Sequence, residues 1–253
     1  MPDGGRYRGF MTAEIETSAI TVGGLNAYLA RPVGGSVAGM LLLPMITGIG
    51  EQVREFAETI ARTGVTALCW DPFHGPTSDD TEMDELFRLL GDLDDEKALE
   101  EQGILLGHLL GELGCAKAGV IGWCLGGRFA LLLGGRDERL SGVIAYHPTV
   151  PIPPAPNHTL DAFEYAGRTT APVMVLYPGA DSLVSVEAFQ KLQTALQARA
   201  TGASVIHFYP GAEHGFSNKT RHGNDVNLAA FELSWPQALE FVKTTTFPAR
   251  QAG

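Results

Sequence analysis

The chain has 253 residues, 45% of them hydrophobic, and its 18 basic and 29 acidic side chains leave a net charge of −11. That length suits one large α/β domain or two small ones and buries a sizeable core. The acidity repels nucleic-acid phosphates and anionic lipid surfaces, no apolar run reaches the ~20 residues of a membrane span, and the N-terminal stretch lacks the apolar segment of a secretory signal.

Residues 1–12, rich in Gly and polar side chains, predict a frayed start. "ITVGGLNAYLARP" reads as a β-hairpin, two β-prone runs around Gly23-Gly24. "AGMLLLP" is a continuous apolar run suited to a strand buried on both faces. From Glu51 to Arg62, Val53, Phe56, Ala57, Ile60 and Ala61 recur at helical spacing, and Gly64 is placed to end that helix. "VTALCW" is the next strand. The segment 80–113 holds two helical patterns parted near Gly91, and the acidic block from Asp79 to Glu101 reads as a solvated helical face. A strand follows over 117–121, a helix after Cys124, and a strand over 141–146. Residues 149–170 carry too much proline for regular structure and read as a loop excursion near the site. "VMVLYP" is a strand, 185–199 a helix with Val186, Phe189, Leu192 and Leu196 on one face, and "SVIHFYP" the last strand. A closing helical region over 225–245 is expected to break or restart at Pro236. Strands alternating with helices predict βαβ crossovers. The expected fold is α/β: a mostly parallel sheet flanked by helices, with the N-terminal hairpin added antiparallel, in one domain over 1–253.

Cys69, Cys115 and Cys124 are an odd count at scattered spacing, so neither a disulfide framework nor a zinc ribbon is indicated, and reduced thiols in the cytoplasm fit best. Cys69 and Cys115 read as packing. Cys124 is different. In "GVIGWCLGGRFALLL" an apolar strand stops at Gly122, and a helical pattern begins directly after the cysteine. G-x-C-x-G is the nucleophile-elbow pattern with sulfur in place of the serine oxygen. Gly122 and Gly126 lack a Cβ, so strand and helix can approach closely around a strained residue. A thiol at a helix N-terminus feels free N–H groups and the helix dipole, which favour its anion. The N–H of Leu125 faces the same space and can donate to a developing oxyanion. A dinucleotide reading fails, because the G-x-G-x-x-G spacing is missing and Trp123 fills the space a pyrophosphate needs. No G-x-S-x-G, H-E-x-x-H or paired C-x-x-C occurs, so neither a serine nucleophile nor a metal is indicated, and no cofactor is expected. A thiol redox role lacks a nearby resolving cysteine.

A nucleophile needs a base, and the base an orienting group. "GADSLV" places Asp181 after one strand and "GAEHGF" places His214 after the next. The order Cys124, Asp181, His214 is the nucleophile–acid–histidine order of α/β-hydrolases. Glu213 rivals Asp181, but neighbouring side chains seldom orient one another. Among the other histidines, His207 lies in a strand, His108 in a helical stretch and His222 in a polar loop, whereas His74 and His147 sit at strand ends where they could line a pocket.

"GWCLGGRFAL", "YPGADSLV" and "YPGAEHGF", with "LLLPMITGIGEQVREFAETIARTGVTALCWDPF" before them, resemble the motif blocks of the dienelactone hydrolase family across residues 20–245. The resemblance implies an α/β-hydrolase fold with Cys124 as nucleophile, His214 as base and Asp181 as its orienter. It implies a second oxyanion donor in the N–H of Ile46, and hydrolysis of an ester or lactone, the namesake reaction being the opening of an enol lactone. Two departures stand out. Where the namesake enzymes carry a glutamate against the resting thiol, this chain has Met45. Where they carry arginines for the substrate carboxylate, it has Asn218 and an Arg-free "DPFHGPTSDD", with Arg221 out of register. The small-molecule substrate is therefore expected to be a neutral or differently anchored ester or lactone. Trp123, Phe73, Tyr146 and Phe216 are expected to join Met45 and Asn218 on the pocket wall. The alternative is a ligand-binding or regulatory protein of the same fold. A monomer or small homo-oligomer is expected.

Overall fold

The structure, a computed structural model, describes residues 13–248. The expected fraying over 1–12 lies outside them. β1 (Ile15–Val22) and β2 (Leu25–Pro32) form the hairpin around Gly23 and Gly24, which take the positive φ that the turn requires. β3 (Ala38–Leu43), α1 (Glu51–Arg62) and β4 (Thr66–Trp70) follow, then α2 (Met83–Gly91) and α3 (Asp95–Leu110). β5 (Lys117–Trp123), α4 (Leu125–Arg136) and β6 (Leu140–Tyr146) come next. α5 (Ala162–Arg168), β7 (Val173–Pro178), α6 (Val186–Gln197), β8 (Ser204–Tyr209) and α7 (Asp225–Thr246) complete the series.

The eight strands make one sheet in the order β1-β2-β4-β3-β5-β6-β7-β8. β1–β2 and β2–β4 pair antiparallel, and every other pair is parallel. Alternation along the strands feeds two cores. Leu41 and Leu43 of β3 pack with α3 and α4, whereas Met40 and Leu42 pack with α1 and α7. Because β3, β5, β6, β7 and β8 are contiguous and parallel, the loops after their carboxyl ends gather along one edge, where open α/β sheets bind ligands. Among the described residues, no helix is long and apolar enough to cross a membrane.

Three expectations change. The Pro-rich excursion holds a helix, α5, behind its last proline. Asp161 caps it, accepting from the N–H groups of Phe163 and Glu164, and its apolar residues Phe163, Tyr165 and Ala166 are buried. Next, α7 runs unbroken through Pro236. Ala230, Trp235, Ala238, Leu239 and Val242 form a buried stripe on both sides of the proline, and that packing outweighs the N–H the proline lacks.

Third, the acidic block is not wholly solvated. Asp95, 1% exposed, accepts two hydrogen bonds from the Arg128 guanidinium at 2.6 and 2.7 Å. Burial by itself raises the Asp95 carboxyl, but Arg128 outweighs it and the group sits below its usual range. Asp95 also accepts from the Leu160 N–H at 2.9 Å, tying the excursion to α3 and α4. Asp95→Ala strands a buried guanidinium and is expected to cost about 3–5 kcal/mol, read as a lowered urea midpoint at unchanged slope.

Candidate active site

The turn between β5 and α4 is held by backbone bonds from three directions. Cys124 N–H donates to Tyr146 at 3.0 Å, Gly126 N–H to Pro44 at 3.1 Å, and the Cys124 carbonyl accepts from Thr149 N–H at 3.0 Å. Cys124 is thereby held at φ 55°, ψ −113°, a conformation an L residue adopts only under strain of about 1–3 kcal/mol. The glycines make this possible. A Cβ on Gly122 would lie 2.0 Å from the Gly126 carbonyl oxygen, and one on Gly126 would lie 1.9 Å from that of Leu43.

The loops after β7 and β8 bring the other two residues to the sulfur. His214 Nε2 lies 3.2 Å from Cys124 Sγ, and its Nδ1 lies 2.8 Å from Asp181 Oδ2. The second Asp181 oxygen accepts from the N–H groups of Leu183 and Val184 at 2.8 and 3.0 Å, which fixes the carboxylate. Glu213 turns away and pairs with Asn227 and Arg221 instead.

Burial alone would raise the Cys124 thiol. The charge and hydrogen bond of His214, with Thr149 and the Leu125 N–H, outweigh it and hold the thiol below its ordinary value. Burial would likewise lower His214, yet Cys124 and Asp181 raise it to about 10. Both directions favour a thiolate–imidazolium pair at rest.

Thr149, which sequence reasoning missed, places its hydroxyl 3.2 Å from Sγ and 3.4 Å from His214 Nε2. The available signal was its place just past a strand end. Behind His214 lies His147, fully buried, its Nε2 2.8 Å from Ser217 Oγ and its ring 5.1 Å from the His214 ring. Burial first, and then the nearby His214, hold its pKa well down, so it is neutral. Gln52 of α1 donates to the Ser217 carbonyl and accepts from the Lys219 N–H, bracing the histidine loop.

Cys124 and His214 open into a cavity of about 810 Å³, and Leu125, Ile46, Met45, Thr149 and Asn218 lie on its wall. Leu125 begins α4, so its N–H has no acceptor within the helix. The Asn218 side-chain oxygen accepts from Thr220. The four aromatic residues expected on the wall are elsewhere. Trp123 and Tyr146 are fully buried in the core that packs with α1 and α7, where Trp123 stacks on Phe56 at 4.7 Å. Phe216 is sealed against Tyr209 and His147, and Phe73 belongs to the core under α2 and α3. His74 pairs with Glu101 off the cavity. The apolar wall comes instead from α2, through Met83, Phe87 and Leu90, and from Leu183 and Pro151.

Comparison with known proteins gives this geometry its context. Residues 25–246 match the Dienelactone hydrolase family. The chain belongs to that family. Membership makes it a hydrolase of the ester- and lactone-cleaving class. Among relatives, a carboxymethylenebutenolidase of Rhodococcus opacus is 29% identical over 208 residues, covering 82% of this chain and 81% of that one. Two solved structures share the fold. A dienelactone hydrolase-like promiscuous phosphotriesterase from metagenomic libraries superposes with a TM-score of 0.72 at 18% identity, covering 93% of this chain and 100% of that one. A cold-adapted esterase from an Arctic intertidal metagenomic library gives 0.65 at 19% identity, covering 91% and 94%.

Proposed function

We propose that this member of the family cleaves a carboxylic ester or lactone through a thioester on Cys124. The thiolate attacks the carbonyl carbon, and the carbonyl oxygen, now an oxyanion, accepts from the N–H groups of Leu125 and Ile46. His214 gives its Nε2 proton to the leaving alkoxide as the tetrahedral intermediate collapses to the thioester. In a lactone that alkoxide stays tethered to the acyl group. His214, now neutral, takes a proton from water, the hydroxide attacks the thioester, and the thiolate leaves as the acid forms. Asp181 holds the imidazole in place throughout and stabilises its charge. Thr149 donates to the thiolate, which Met45 cannot do. The observation that carries this reading is the continuous chain from sulfur through imidazole to a carboxylate held by two backbone N–H groups. A protein kept only for binding has no use for that poised pair.

Alkylation tests it. Iodoacetamide is expected to label Cys124 ahead of Cys69 and Cys115, which are buried, and to abolish p-nitrophenyl acetate turnover in step. The labelling rate should rise with a midpoint below the ~8.5 of a free thiol. Thr149→Val removes one hydrogen bond to the anion, and the midpoint should climb by about one pH unit. Turnover that survives complete labelling of Cys124 overturns the reading.

A further inference from the structure

The cavity wall is built of two unlike halves, and together they indicate a kind of substrate. One half is apolar. Met83, Phe87 and Leu90 stand at helical spacing on one side of α2 and line the cavity that holds Cys124. Met83 is 41% and Phe87 58% exposed, although α2 fully buries only Leu86 in the core. Across from them Leu183, 52% exposed, and Pro151 extend the apolar surface. Met45 continues it to the reaction centre. Large apolar side chains left open in a concave wall mark a place where apolar ligand surface is buried.

The other half is charged but offers no open cation. Among the described residues, each Lys or Arg on the wall already faces a carboxylate: Lys219 faces Glu55, Arg221 faces Glu213, and Arg128 faces Asp95. His158, also on the wall, is pushed down to about 4 by burial and then by Arg128, so it carries no charge near neutrality. Glu51, Glu55 and Asp79 line the wall as well. Glu55 is paired with Lys219 and Asp79 with Arg54, so a substrate carboxylate would find no unpaired cation on the described wall to repay its desolvation.

We propose that the site takes an uncharged ester or lactone whose apolar arm lies along the Met83–Phe87–Leu90 face of α2. The inference rests on the esterase reading above and adds a subsite to it. The arm occupies the groove because the groove is continuous with the wall that carries Cys124 and Ile46. Specificity comes from burying carbon and from the lack of an anion partner, the reverse of a carboxylate clamp.

The test uses p-nitrophenyl acetate, p-nitrophenyl hexanoate and the p-nitrophenyl half-ester of adipic acid, which ends in a carboxylate. For the wild type, kcat/KM should rise at least about tenfold from acetate to hexanoate and fall at least about tenfold from hexanoate to the adipate half-ester. Phe87→Ser should cut the hexanoate-to-acetate ratio by about tenfold. Val186→Ser replaces an equally exposed side chain off the cavity and should leave that ratio in place. A flat chain-length series, an adipate half-ester as good as hexanoate, or an unchanged ratio in Phe87→Ser overturns the subsite. In those outcomes acetate turnover that vanishes on Cys124 alkylation still upholds the esterase reading. If no ester is turned over at all, that reading fails and the subsite falls with it.

Discussion

Cys124→Ala is expected to reduce p-nitrophenyl ester hydrolysis by about 10⁴-fold or more while leaving the melting curve close to that of the wild type. The large kinetic effect follows from how the residues work together. The oxyanion donors act on an intermediate that forms only after attack, and His214 owes its raised pKa partly to the thiolate beside it. Removing the sulfur therefore disables its partners as well, which is why such losses do not partition residue by residue. The small structural effect follows from the backbone. Alanine keeps the Cβ that already sits at φ 55°, and the bonds that pin the turn come from main-chain groups. Cys124→Ser should retain only a trace of activity, since a hydroxyl is far less acidic and His214 cannot hold it as an anion at rest. The pH profile of wild-type kcat/KM supplies a further check. Its acid limb follows ionisation of Cys124, held below the ordinary thiol value. With an alkyl ester or lactone as substrate, its alkaline limb follows loss of the His214 proton near 10, because above that pH nothing protonates the leaving alkoxide. A Cys124→Ala protein that keeps its turnover would mean the sulfur is a bystander.

What could be read from the chain divides along a physical line. Local devices announce themselves, because short-range sterics demand particular residues at fixed spacing. Gly122, Cys124 and Gly126 mark a strand-to-helix turn, and the residues just past "VMVLYP" and "SVIHFYP" mark loops at carboxyl ends of strands. The structure brings Asp181 and His214 from those loops to Cys124. Features decided by tertiary packing were not legible. Trp123 sits beside the cysteine in the chain, yet its ring is buried in the core against Phe56 rather than on the cavity wall. The apolar wall comes from α2, which closes over the site from far away in the chain. Pro236 and the prolines before α5 are read correctly as local penalties. A buried stripe in one case and an Asp161 cap with a buried face in the other outweigh them. Asp95 looked like one more solvated acid because its partner, Arg128, lies on a different helix.

Gly126→Ala is expected to be the most damaging single-methyl addition at the site, preventing recovery of folded protein or lowering stability by more than about 4 kcal/mol. The new Cβ would stand 1.9 Å from the Leu43 carbonyl oxygen and 2.6 Å from that of Pro44. Both atoms are backbone, so no rotamer change relieves the contact. Moving α4 away breaks the Gly126 N–H bond to Pro44 and shifts the Leu125 N–H that the proposed mechanism uses as an oxyanion donor. Moving β3 away breaks its pairing with β5 and β4 at the centre of the sheet. The contrast is Gly103 in α3, where a Cβ would meet nothing within 4 Å. There the same substitution should stabilise by about 0.5–1 kcal/mol, since alanine gives up less backbone freedom in a helix. Urea melts of the two variants separate the explanations. If Gly126→Ala unfolds with a wild-type midpoint, strand and helix do not approach as closely as described, and the strained conformation of Cys124 loses its cause.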